Sequence, residues 1–126
     1  VIRFELTGNG FNLTKLGDGI LQLTTANAST YNGTTTITGG ILRAGSATAF
    51  SASSAVVIGA AGKLQLNGFN NTINGLNGNG AVDSQTAANS VLTVGNNDHS
   101  GSFNGQIKNT SGTLAVAKIG TGTQTI

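Results

Sequence analysis

The chain contains no cysteine, which excludes disulfides and any cysteine-based metal or redox site. It has no proline either, so no strand is interrupted by a missing backbone donor. Charged residues make up only 8% of the 126 positions and aromatic residues only 5%. Such a composition suits a disordered polar chain when its apolar residues are scattered. Here they fall in short runs that alternate with polar residues, which favours order. Six Lys and Arg face four acids, but Arg3, Lys15, Arg43, Lys63, Lys108 and Lys118 are dispersed and not interleaved with aromatics. Nucleic-acid binding needs a basic stripe, and there is none. No apolar run approaches the roughly 18 residues of a membrane span. No charged segment leads into an apolar one as in an export signal. Val1 stands where an initiator methionine is expected, which predicts a processed product or an excised piece with any signal outside it.

What is present is glycine, 20 residues of it, among abundant Asn, Thr and Ser. Leu21-Gln22-Leu23 alternates as a half-buried strand does, and Leu42-Arg43-Ala44 repeats the pattern. Between them lies Thr34-Thr35-Thr36-Ile37-Thr38, rich in β-branched side chains. Taking Leu21 as inward, its equivalents are Leu42, Leu64, Val82, Phe103 and Ile126, at steps of 21, 22, 18, 21 and 23 residues. The residue after each internal member is polar: Gln22, Arg43, Gln65, Asp83 and Asn104. Because strands alternate faces, Leu21, Leu42, Leu64, Val82 and Phe103 are expected as a core column and their polar neighbours as a water-facing one. The chain reads as all-β, a single β-solenoid unit over residues 1–126 with about 20–22 residues per rung. Asn-Gly pairs at Asn67, Asn74, Asn77 and Asn79 also suit hairpins, which makes an antiparallel meander the competitor. Hairpins return the chain every 8–12 residues or so, against about 20 here.

A longer repeat overlies the coil. Lys15-Leu16-Gly17-Asp18-Gly19 matches Lys118-Ile119-Gly120-Thr121-Gly122, an offset of 103 residues. The expectation is that the chain ends in the phase in which it begins. Residues 1–6 then form a strand whose Phe4 and Leu6 are candidates for an end-to-end contact. Solenoid ends expose unpaired backbone that recruits other strands, so the expected partners are neighbouring repeats or copies of the chain itself.

The chemistry-bearing residues are few: Glu5, Asp18, Asp83, Asp98 and His99. Glycoside hydrolysis needs two carboxyls about 5–9.5 Å apart, and Asp83 is expected outward while Asp98 lies in a turn. Asp98-His99-Ser100 has the residue types of a hydrolytic triad, but contiguous residues rarely converge and geometry defines triads. The stretch Gly75-Leu76-Asn77-Gly78-Asn79-Gly80 lacks a P-loop lysine and a following helix. Gly17-Asp18-Gly19 approaches a calcium repeat, yet Thr121 replaces the aspartate in the second copy. Sequons at Asn12, Asn27, Asn32, Asn70 and Asn109 arise by chance in so Asn/Thr-rich a chain. No catalytic, cofactor-binding or metal residue is expected, and a polysaccharide-degrading enzyme is the third reading after two structural ones.

One family carries these elements in this order. Leu13-Thr14-Lys15-Leu16-Gly17-Asp18-Gly19-Ile20-Leu21-Gln22-Leu23, then Tyr31-Asn32-Gly33-Thr34-Thr35, then Gly40-Ile41-Leu42-Arg43-Ala44-Gly45 resembles the autotransporter-associated β-strand repeat of bacterial passenger regions. Lys63-Leu64-Gln65-Leu66-Asn67-Gly68-Phe69 and Phe103-Asn104-Gly105-Gln106-Ile107 are similar to its continuation. The resemblance implies a right-handed parallel β-helix carried to the bacterial surface. It would serve there as a rod, stalk or adhesin segment, with a host or cell-surface receptor as a further partner. A self-assembling extracellular fibre subunit is the alternative.

Overall fold

Short strands form wherever aliphatic and β-branched residues alternate with small polar ones. A computed structural model describes residues 8–24 and 29–126, and among them there are twelve strands and no helix. They are β1 (Leu13–Lys15), β2 (Ile20–Leu23), β3 (Thr35–Ala44), β4 (Val56–Gln65), β5 (Asn71–Ile73) and β6 (Leu76–Gly78). The remainder are β7 (Ala81–Ser84), β8 (Ser90–Val94), β9 (Gly101–Ser102), β10 (Gln106–Asn109), β11 (Leu114–Lys118) and β12 (Gln124–Thr125). Every ladder is parallel. The chain is a β-solenoid of about five turns.

Seven strands form the large sheet, β1-β3-β4-β7-β10 with β2 against β3 and β6 against β4. A second sheet is β11-β8-β5, and β12 pairs β9. The two β-rich runs expected at residues 34–38 and 42–44 are one strand, β3, continuous through Gly39-Gly40. Its register against β4 shifts between Ile37 and Gly39. Extra residues of this kind bend a sheet. In the rungs above and below, the strand breaks at the same place, between β1 and β2 and between β6 and β7.

The Asn-Gly signal is used for a corner instead of a hairpin. Asn67 and Gly68 both have positive φ (53° and 82°), and the Phe69 amide donates to the Leu66 carbonyl at 2.9 Å. This tight turn passes the chain from the large sheet into β5 of the second one, so the strands on either side never pair.

The core is one continuous cluster fed from both sheets. Leu23, Ile37, Leu42, Ile58, Leu64, Leu66, Ile73, Leu76, Val82 and Leu92 have no exposed surface. Each contributes roughly 1.5–3 kcal/mol of transfer free energy. Leu21, Leu42, Leu64 and Val82 lie in one register, but the partner of Val82 is Ile107 and not Phe103. The cause is local. Two residues separate β5 from β6, whereas six, Gly95 to Ser100, separate β8 from β9 one turn later. A count at constant spacing therefore lands four residues early. Phe103 is fully buried all the same, bridged to Gly78 in the neighbouring column of Lys15, Ile37 and Ile58. Gly105 makes room for its ring, since a Cβ there would lie 2.6 Å from Phe103 Cζ.

The polar column also departs from expectation. Gln22 is exposed and Arg43 half-buried, but Gln65 and Asp83 are buried at 3% and 1% exposure. Stacked polar side chains cover one another. Arg43 Nε donates to Gln65 Oε1 at 2.9 Å and its Nη2 to Gln85 Oε1 at 3.1 Å. Lys63 lies 3.6 Å from the Asp83 carboxylate. The register of Asp83 continues to Lys108, not to Asn104.

The two lysine–glycine copies sit in different phases. Lys15 pairs Ile37 in the large sheet, while Lys118 pairs Val94 in the second. The motif marks a kind of corner and not a fixed rung position. Residues 1–6, with Phe4 and Leu6, lie outside the described residues.

Candidate functional site

Convergence of side chains decides whether a chain so poor in charge has a reactive centre. Asp98, His99 and Ser100 do not converge. Asp98 Oδ1 accepts from the Thr121 amide at 2.7 Å, and Ser100 Oγ from the Thr123 amide at 3.0 Å. The His99 amide donates to Asn74 Oδ1 at 3.1 Å. Two of the three turn toward the following rung and the third backs onto the preceding one. The Thr121 amide, then its hydroxyl, hold the exposed Asp98 carboxyl below its ordinary pKa, with Lys118 adding a smaller pull. Asp83 is likewise committed, its carboxylate accepting from the Thr110 amide at 3.0 Å and hydroxyl at 2.6 Å. Asp18 is exposed in the turn between β1 and β2, and Glu5 lies outside the described residues. Among the described residues no three metal-ligating side chains cluster.

Most polar side chains bind backbone in the adjacent turn. Asn12 Oδ1 accepts from the Thr34 amide at 2.8 Å, Asn70 Oδ1 from Val91 at 2.8 Å, and Asn71 Oδ1 from Phe50 at 3.1 Å. Asn74 and Asn77 do the same for Asn97 and Ser102, each at 3.1 Å. At a corner the backbone ladder lapses, and a carboxamide, carrying one donor group and one acceptor like a peptide, takes its place. This role explains the asparagine content, and the sequon residues Asn12 and Asn70 use their carboxamide oxygens in it. Gln124 extends the device across two turns. Its Nε2 donates to the Leu76 carbonyl at 2.7 Å while its Oε1 accepts from the Leu76 amide at 2.9 Å. The carboxamide passes over Gly101, where any Cβ would lie 2.5 Å from both Gln124 Oε1 and the Leu76 carbonyl.

Sequence reasoning missed two further constructions. Lys15 points inward and is buried at 7% exposure, its ammonium donating to the carbonyls of Leu16 (2.6 Å), Gly17 (2.8 Å) and Gly39 (3.3 Å). Lys118 repeats this with the carbonyls of Ile119 and, at 3.0 Å, Gly120, but is exposed. The available signal was a lysine at an inward strand position directly before x-Gly. The second is a buried hydroxyl chain: Tyr31 Oη to Thr35 Oγ1 at 2.7 Å, Thr35 to Ser54 Oγ at 2.9 Å, and Ser54 onto the Gly33 carbonyl at 2.6 Å. Burial raises the Tyr31 pKa above its ordinary value, and its hydrogen bonds only partly oppose this.

On the outer surface the bend in the large sheet leaves a groove of about 590 Å³ that crosses four turns from Gly40 to Lys108.

Comparison with known proteins supports the sequence pattern. Residues 13–44 match the family described as passenger-associated-transport-repeat. A curated relative, the adhesin BmaC autotransporter of Brucella suis biovar 1 (strain 1330), is 41% identical over 123 residues. That alignment takes in 95% of this chain and 3% of the relative, so the chain spans a small fraction of the protein it matches. No solved structure matches the chain.

Proposed function

The chain carries autotransporter passenger repeats and is accordingly extracellular or bound to the bacterial surface; on that premise we propose that it is a rod or stalk segment of a β-helical adhesin passenger, without catalysis of its own. The observation that carries this reading is the uninterrupted stack of parallel rungs with open edges. Among the described residues no strand covers the outer edge of β10 or of β11. Ile107, Ile119 and Ile126 are exposed at that end of the stack, and Phe11, Leu16 and Ile20 at the other. Open ladders of this kind take further strands, so the natural neighbours are other rungs, each a parallel continuation. A receptor on a host or cell surface would be met by the whole passenger, of which this segment supplies length. The fibre-subunit alternative leaned on matched phases of the two lysine motifs, and their different sheets withdraw that support.

Insertion of the segment between rungs of a surface-displayed β-helical passenger tests the reading. Five rungs at about 4.8 Å should lengthen the projection by roughly 20–25 Å, measured by electron microscopy. Protease resistance should persist and adhesion stay unchanged. A displayed protein that gains adhesion to host matrix would make the segment adhesive itself. One that becomes protease-sensitive would mean that its edges do not accept neighbouring rungs.

A further inference from the structure

The groove in the bend of the large sheet has a composition unlike the rest of the surface. Its floor is flat because Ala60, Ala61, Gly80 and Gly105 leave it without projecting side chains. Along its length stand Lys63, Asn79, Asn104, Gln106 and Lys108. Asparagines elsewhere bind the backbone of an adjacent turn, yet the side-chain carboxamides of Asn79, Asn104 and Gln106 and the Lys108 ammonium have no partner among the described residues. The nearest carboxylate is Asp83, which is buried and already held by Lys63 and Thr110. Asp18 lies one turn beyond the lining, at the far end of the same bend. The groove is therefore net cationic, rich in unspent amides, and about 14 Å long across its four rungs. Its volume falls within the usual range for ligand sites, about 300–1,000 Å³.

The occupant follows from what the groove does not offer. A peptide strand would need an unpaired ladder edge, but β3, β4 and β7 are each paired on both sides, and the open edge of β10 borders only the last rung of the groove. A helix would need an apolar trough, and only Ile41 and small alanines provide apolar surface here. Amides in a row recognise hydroxyls, and ammoniums recognise carboxylates or sulfates. We propose that this groove binds a linear anionic polysaccharide, laid along the solenoid axis over Ala60 to Gly105 with its acid groups at Lys63 and Lys108. This goes beyond a rod function and does not depend on whether further rungs follow.

Calorimetric titration of the chain with a short oligogalacturonate and with a heparin oligosaccharide separates carboxylate from sulfate as the acid group. Neutral maltooligosaccharide, inorganic sulfate and oligoglutamate are the controls. Weak binding to at least one acidic oligosaccharide is expected, falling with added salt. Lys108→Gln should weaken it roughly threefold or more, and Ala61→Trp, which fills the floor, should abolish it. Thr93→Glu changes net charge by the same amount on the second sheet and should leave it intact. Both groove positions are exposed, so unchanged melting curves will show that the variants fold. Binding to neither acidic oligosaccharide overturns the proposal. So does equal binding of maltooligosaccharide, a preference for oligoglutamate, or binding that Thr93→Glu weakens as much as Lys108→Gln.

Discussion

Lys15 and Lys118 occupy the same five-residue pattern and cap the carbonyls of the next two residues in the same way, yet one is buried and the other exposed. The difference is the following turn. Above Lys15, Gly39 and Gly40 of β3 close over the ammonium, and Gly39 adds a third carbonyl. Within these 126 residues Lys118 is met only by the preceding turn, where Gly95 lies below. A charged group is thus made compatible with a thin apolar core by three oxygens and a roof, and the roof is supplied by glycine. Burial of a charge here is a property of the stack and not of the motif.

The comparison can be broken most severely at the roof. Gly40 has φ of +67°, and a Cβ there would collide with the carbonyls of Gly17 and Gly19 and sit 2.8 Å from the Lys15 ammonium. Gly40→Ala should cost roughly 3 kcal/mol or more, combining left-handed backbone strain with overpacking. Urea unfolding would measure it, and a loss below about 1 kcal/mol would mean that the roof gives way easily. Next comes the lysine itself. Lys15→Met keeps the bulk but orphans buried carbonyls, with an expected loss of about 2–3 kcal/mol. Lys118→Met leaves its carbonyls to water and should stay within about 0.5 kcal/mol of the parent, as surface substitutions do. Equal losses at the two positions would refute burial as the distinction. The same contrast sharpens chemically: an amine-acylating reagent should modify Lys118 well before Lys15, read by peptide mass mapping.

The smallest expected effect is a pH dependence beside Lys118. Asp98 reaches up to the Thr121 amide, and its folded pKa lies below the ordinary value of 3.8. A depressed acid stabilises the fold above its unfolded pKa, and that contribution is lost as pH falls through the lower folded value. The Thr121 amide resonance should therefore hold steady from neutral pH down to about 4 and move only under more acid conditions. The Gly39 amide, in the roofed copy, should not follow it. Movement of Thr121 near neutral pH would point to a different acceptor.

Much of this architecture was legible because strands of a parallel coil must repeat. Leu21, Leu42, Leu64 and Val82 could be aligned by spacing alone, and the absence of helix followed from the short alternating runs. Phe103 was misaligned because the loop of residues 95–100 adds length with no apolar marker inside it. Gln65 and Asp83 were expected in water because alternation reports which face a side chain takes, not what stacks above it. Lys15 was hidden for a related reason: charge argues for the surface unless the carbonyls that will receive it are already known. The groove was not visible at all, since it arises from a bend that four glycine-containing turns share and no single segment encodes.

The asparagine contacts have a consequence for how the chain acquires its shape. Asn12, Asn70, Asn71, Asn74 and Asn77 each reach between 21 and 25 residues along the chain, about one turn. Among the described residues only Arg43 with Gln85 and Gln124 with Leu76, at separations of 42 and 48, span as much as two. A growing chain of this kind needs to remember little more than its latest turn. Each completed rung is the template on which the next is laid, so order spreads like an advancing step on a crystal face and no distant segment has to be found by diffusion.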